Sequence, residues 1–288
     1  MGQELLARGL KTKGTLWSAS ALIQEKFHEL ILKTHIDFIE SGAEVIVTTT
    51  FSSRKQKLIE NNILEKFEEL NLKAAELAAK ARDKFPQVMV AGGLPPQNLV
   101  YEVDNRSDDE IISDFYDQAK ILSPYVDFFN LEVLSSFREA NLAIKAIEAL
   151  KKPYLVGLHV SSGTELPSQE KISEIKSNLI LKNSLGLMLS CVSPENYQLN
   201  SHELSKLGCP YGFKLNGFEF TTPKLSYNKT YSTGDSVNPN LILGKREDLN
   251  PEKFFQFVKK FKSSGATILG GCCETSPAHI KELVKLRA

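Results

Sequence analysis

Neither sign of charge is in surplus in this 288-residue chain: Lys and Arg total 35, and Asp and Glu total 35. That balance argues against nucleic acid or an anionic membrane surface as the main partner, because both need clustered positive charge. No apolar run approaches the ~20 residues that span a bilayer. Residues 1–13 lack the basic-then-apolar order of a secretory signal. Four cysteines are too few to staple a chain of this length into a disulfide scaffold. Neither G-x-G-x-x-G nor G-x-x-x-x-G-K-[ST] occurs, so an open nucleotide-binding sheet lacks its usual marker. What remains is a cytoplasmic globular protein whose few cysteines need another explanation.

From residue 43 onward, short β-branched runs alternate with longer amphipathic stretches. Strands are expected at Ala43–Phe51, Val88–Gly92, Val126–Glu132, Tyr154–Val160, Leu185–Cys191, Tyr211–Asn216 and Thr267–Gly271. Helical patterns separate them, including Asp109–Leu122, Ser136–Leu150 and Ser168–Leu181, and a helix at Leu22–Glu40 precedes the first. Ser276 is a good N-cap for the last helix, with Pro277 in its first turn. Such alternation indicates parallel βαβ units. One domain over 1–288 is expected to be a (β/α)8 barrel, with its site at the strands' C-terminal ends. The helix at Leu22 should follow a strand, yet the upstream segment begins MGQELLARG and reads as helix or turn. The barrel is therefore expected to lack its first strand or to carry a disrupted one. Residues 217–250 are polar and rich in Gly, Pro and Asn and too long for an ordinary βα loop; they are either a tolerated insertion or a cover over the catalytic face.

Cys272 and Cys273 close the last strand in the run Gly270-Gly271-Cys272-Cys273, and Cys191 closes another. In a barrel these strand ends meet around one mouth. Adjacent strand residues point to opposite faces, so both vicinal thiols reach one ion only if the chain leaves strand geometry; Gly270 and Gly271 are expected to supply that freedom. Three thiolates with an open fourth position describe a catalytic zinc site, since structural sites fill all four places with protein ligands. Buried inert cysteine is the alternative. It suits Cys191 taken alone but not a Gly-Gly-Cys-Cys run. Cys209 precedes a strand, at the opposite end of the barrel, and is expected to be structural.

These residues resemble the zinc-dependent homocysteine S-methyltransferases, a (β/α)8 family, across nearly the whole chain. Gly270 to Cys273 with Thr275, Pro277 and Ile280 resembles the family's terminal zinc motif, and Cys191 falls at its other zinc cysteine, preceded by Ser190 rather than Asn. Leu16-Trp17-Ser18-Ala19 and Gly42 to Phe51 resemble two further blocks. Glu132 lies where the family holds the homocysteine amine, followed by Val133 rather than Thr, and Asn216 at the Asn of a P-N-x-G-like segment. Met1-Gly2-Gln3-Glu4-Leu5 aligns just after the family's D-G-G on strand one. The resemblance implies zinc on Cys191, Cys272 and Cys273; its fourth position is expected to hold a displaceable donor, water or the Asn216 side chain, which ends the strand next to the last one. It implies methyl transfer from S-methylmethionine or S-adenosylmethionine to homocysteine, giving methionine.

A sulfonium or quaternary ammonium donor is held by aromatic faces, for which Trp17 and Phe51 are candidates. A betaine-type donor, or a zinc barrel that has lost turnover, stands as the alternative. A Schiff-base aldolase is a further rival, since Lys214 sits near a strand end, but it leaves three cysteines unexplained. The expected partners are small molecules.

Overall fold

The computed structural model describes residues 1–220, 238 and 243–287. Seven parallel strands lie side by side in chain order: β1 (Val45–Val47), β2 (Met89–Leu94), β3 (Phe128–Leu134), β4 (Tyr154–Leu158), β5 (Ser184–Val192), β6 (Tyr211–Leu215) and β7 (Ile268–Gly271). Each expected strand is present. The sheet curls into a (β/α)8 barrel short of one strand, because β7 and β1 do not pair.

Burial explains the strand sequences. The central strands are apolar on both faces because helices cover the outside and side chains fill the inside. Every residue of β3 and β4 is buried. Outward residues such as Phe129, Leu131, Val156, Leu187 and Phe213 pack against the helical layer. Inside, Ala91, Phe128, Leu155 and Met188 form a small apolar layer with Val47 and Ile268 against it. Continuing by strand parity toward the C-terminal ends, the next inward residues are Asn130 and Glu132 on β3 and Lys214 on β6. The barrel is thus greasy at its base and charged below its mouth.

The seam between β7 and β1 is the open side. Residues 1–23 supply two short helices, Gly2–Ala7 and Ala19–Ile23, rather than a strand. From outside, helix His28–Glu40 and the C-terminal pair Pro277–Leu283 and Val284–Arg287 flank the gap. Arg287 donates to the Gly42 carbonyl and lies 3.4 Å from Glu44. A cavity of about 670 Å³ runs behind them, from Glu44, Met89 and Leu185 at the base to Trp17, Cys272 and Cys273 at the mouth.

Two helical expectations need correction. The segment 168–181 holds only a 3-10 turn, Ile172–Glu174, and a four-residue helix, Ile175–Asn178. Glu170 explains the failure: its carboxylate accepts from the Phe137 N–H at 2.8 Å, and its carbonyl accepts from the Leu166 N–H. These bonds fold the chain back as a turn and anchor it to the N-terminus of the preceding helix Phe137–Ile147. The Leu22–Glu40 helix is likewise broken at Gln24, whose extended backbone (φ −103°, ψ 104°) ends helix Ala19–Ile23 before His28–Glu40 starts. Elsewhere local signals suffice. Helix Asp108–Leu122 starts with a reciprocal Ser107–Glu110 capping box, and helix Pro277–Leu283 with Ser276 as N-cap. Of the long segment 217–250, residues 221–237 and 239–242 lie outside the described residues.

Candidate metal centre

Three thiols converge at the C-terminal ends of β5 and β7. The Sγ atoms of Cys191, Cys272 and Cys273 all lie within 4.8 Å of one another, and Cys191 and Cys273 are 3.8 Å apart. Ligands bound tetrahedrally to zinc at ~2.3 Å sit about 3.8 Å from each other, so the spacing fits such an ion. The chemistry fits as well. Hydrogen bonds from Cys191 and Cys273 hold the Cys272 thiol well below its ordinary value, while the same interactions push Cys191 and Cys273 up. One thiolate is favoured in this buried group; a bound cation is what makes three compatible.

The backbone bends to deliver these groups. Cys191 has φ 56° at a register shift between Ser190 and Val192, and Val133 has φ 61° at a matching shift between Leu131 and Leu134. A β-branched residue in the left-handed region is a true outlier. Bulges of this kind re-aim side chains at barrel rims. Trp17, Tyr101 and Glu274, all close to the thiols, also have positive φ; each such residue stores of order 1–3 kcal/mol of strain.

The expectation that Gly270 and Gly271 supply backbone freedom is not met. Both remain within β7 and neither has positive φ. The need for glycine at 271 is steric: a Cβ there would lie 2.3 Å from Thr275 Oγ1, whereas one on Gly270 would meet only ordinary contacts. The turn that follows presses Thr275 against the strand, where its hydroxyl donates to the Cys272 carbonyl at 2.8 Å. Glu274 supplies the left-handed conformation instead. The Cys272 N–H bonds to the Leu215 carbonyl and the Gly217 N–H to the Cys273 carbonyl, tying the vicinal pair to the end of β6.

Around the thiols stand donors. The Tyr101 hydroxyl points at Cys191 Sγ, 3.4 Å away. Asn216 Nδ2 donates to the Cys191 carbonyl at 2.6 Å and reaches its Sγ at 3.7 Å, while Asn216 Oδ1 accepts from the Phe218 N–H at 3.3 Å. The structure therefore places Asn216 beside the cluster with its oxygen already occupied by backbone. His159 stacks 4.5 Å from the Tyr101 ring and contacts the Ser190 carbonyl at 3.1 Å. Burial pushes its pKa down to about 4, so it is neutral at physiological pH.

Glu132 is inside the barrel, as its strand position requires, but not alone. Lys214 Nζ lies 3.0 Å from Glu132 Oε1, and Asn130 Nδ2 donates to the same oxygen at 2.6 Å. Burial by itself would lower the lysine's pKa, yet the charges of Glu132 and Cys272 outweigh it and hold Lys214 above its ordinary value. A lysine kept protonated in this way is a poor Schiff-base nucleophile, and the aldolase reading loses its one candidate. Trp17 and Phe51 meet edge to face with centroids 6.3 Å apart, and the Arg54 guanidinium lies 5.6 Å from the Phe51 ring. Cys209 is half-buried and outside the cluster. Phe218 and Leu243, at the described ends of the long segment, are buried with Tyr101, Val133 and Cys191, and Cys272 and Cys273 pack against that group.

Tyr101 and Asn130 are contributors that the sequence alone does not flag. Tyr101 sits in a loop with no motif, and only its left-handed turn aims it inward. Asn130 could have been found: it shares strand parity with Glu132 and is a polar residue within an apolar run.

The family model for homocysteine S-methyltransferase matches residues 1–286. Homocysteine S-methyltransferase 1 of Saccharomyces cerevisiae is 24% identical over 98% of this chain and 90% of its own length. The selenocysteine methyltransferase of Astragalus bisulcatus is also 24% identical, over 99% of this chain and 90% of its own. Among solved structures, the metallated form of the homocysteine methyltransferase MmuM from Escherichia coli superposes with a TM-score of 0.78 at 20% identity. That match covers all of this chain and 94% of the other. With a whole-length family match and a cysteine trio spaced for one metal ion, the chain belongs to the homocysteine S-methyltransferase family.

Proposed function

We propose that this protein moves a methyl group from a sulfonium donor, S-methylmethionine or S-adenosylmethionine, to homocysteine, giving methionine. The observation that carries this reading is the three-thiol cluster, spaced for one ion, at the mouth of a cavity large enough for a small substrate. Cys191, Cys272 and Cys273 would hold a zinc ion, whose fourth position would take the homocysteine sulfur and strip its proton at neutral pH, where a free thiol of pKa ~8.5 is mostly protonated.

The chain's own residues do the rest. Tyr101 and Asn216 direct donors at Cys191 Sγ, which orients that ligand and moderates its charge. Glu132 faces the substrate ammonium. Trp17 and Phe51, which meet edge to face, offer aromatic surface to the donor cation. In the transfer a new S–CH3 bond forms as the donor S–CH3 bond breaks. The released electron pair neutralises the donor sulfonium to a thioether. No side-chain base is required, consistent with a buried, neutral His159. A cytoplasmic setting suits thiols only 3.8 Å apart, which an oxidising compartment would join.

The test pairs metal quantification with a donor screen that includes glycine betaine, and an acceptor screen that includes selenocysteine. Zinc at one equivalent and turnover with a sulfonium donor are expected. Cys272→Ala should lose metal and activity together, and Cys209→Ala should keep both. Stoichiometric metal retained in Cys272→Ala overturns the ligand set; turnover confined to betaine overturns the donor.

A further inference from the structure

We propose that Asn130, Glu132 and Lys214 form one receptor for both charged ends of the amino-acid substrate: Glu132 and Asn130 for its ammonium, Lys214 for its carboxylate. This deepens the reading of homocysteine as acceptor and rests on it. Glu132 receives an ammonium beside a like charge, because Lys214 Nζ already sits 3.0 Å from its Oε1. A ligand bringing only a cation would set two positive charges on one buried carboxylate, which is costly. A ligand bringing both charges also brings an anion for the lysine, so two cations meet two carboxylates and the site stays balanced.

Two further observations point to a ligand. Asn130 is 2% exposed and lines the cavity; its Nδ2 is committed to Glu132, while its Oδ1 has no hydrogen-bond partner among the described residues. A buried acceptor left in this state wants a donor, and an ammonium seated on Glu132 supplies one. The ion pair also lines the cavity instead of packing into the core, so ligand can reach both charges. A buried pair is a weak device for stability, and its position fits recognition better. Chain connectivity sets the distance to the chemistry. Lys214 lies two residues before Asn216, which touches Cys191, and Glu132 directly precedes Val133, which packs in the same cluster as Cys191.

Calorimetric titration of the zinc-loaded full chain with three thiols tests this without requiring turnover. The ligands are homocysteine, 3-aminopropane-1-thiol (no carboxylate) and 4-mercaptobutanoate (no amine). In the wild type, deleting either charge should weaken binding by about 30-fold or more. Lys214→Met should weaken homocysteine to the same degree but leave 3-aminopropane-1-thiol unchanged or tighter. Asn130→Ala should weaken both amines and spare 4-mercaptobutanoate. Because Lys214→Met strands Glu132, the neutral double variant Lys214→Met/Glu132→Gln serves as a second probe, and should bind homocysteine no better than either truncated thiol. If carboxylate deletion costs the same factor in wild type and double variant, the receptor assignment is wrong even where methyl transfer is observed. If the thiols follow the predicted pattern but no donor is turned over, the methyl-transfer reading fails and the receptor stands.

Discussion

The wall formed by β3 and β4 and the two strands beside the seam are built of similar residues but held very differently. β3 and β4 are buried along their whole length, each between two paired neighbours. All four residues of β7 are only half-buried, and Val45 at the start of β1 is 37% exposed. The site draws on both regions. Glu132 and Cys191 come from strands paired on either side, while Cys272 and Cys273 hang from the end of an edge strand. Cys191 is thus fixed in advance by the sheet, and the vicinal pair depends on a few turn bonds. A metal ion shared by the three would staple the β7 edge to β5, so metal binding would order one side of the seam.

The largest expected effect that sharpens this contrast is mechanical. Phe129→Ala, in the buried wall, should cost about 3–5 kcal/mol in denaturant unfolding, and Val45→Ala, at the seam, under about 1 kcal/mol. Similar costs at both positions would mean the edge is as well packed as the wall. Next, amide exchange should be fast in β1 and β7 and slow in β3 and β4, and adding metal should slow β7 selectively. Uniform protection would break the staple idea. Tyr101→Phe, which removes the hydroxyl beside Cys191, should lower metal affinity about tenfold while leaving stability of the wall unchanged; metal competition with a chromophoric chelator reads this out.

A separate effect concerns pH. Burial raises the Glu139 carboxyl from 4.5 to about 8, against the opposing hydrogen bond from the Ser135 N–H. Between these values the native state keeps a proton that the unfolded chain has released, so stability falls as pH rises through that window. Glu139→Gln should flatten this slope in unfolding curves taken at pH 5.5 and 8.5. An unchanged slope would remove Glu139 as its source.

Most of the fold was legible because parallel strands buried on both faces leave uninterrupted apolar runs such as 154–158. Capping residues also mark several helix starts directly. The open side was legible too, from a helix at Leu22 with no strand-like run before it. The failures are tertiary. Residues 168–181 have helical spacing, but Glu170 spends its hydrogen bonds on Phe137 and Leu166. The cysteines announced themselves through an unusual Gly-Gly-Cys-Cys run, yet the reason for Gly271 was hidden because it lies in the approach of Thr275. Tyr101 was invisible for the same reason: its reach to Cys191, 90 residues away, depends on a left-handed turn that no local pattern encodes.

The central claim is that Cys191, Cys272 and Cys273 jointly hold one ion that then takes the substrate sulfur. Zinc K-edge X-ray absorption on the metal-loaded protein, with and without homocysteine, tests it directly. Three sulfur neighbours at about 2.3 Å plus one lighter atom are expected without substrate, and four sulfurs after its addition. A first shell with fewer than three sulfurs, or one that homocysteine leaves unchanged, would contradict the account.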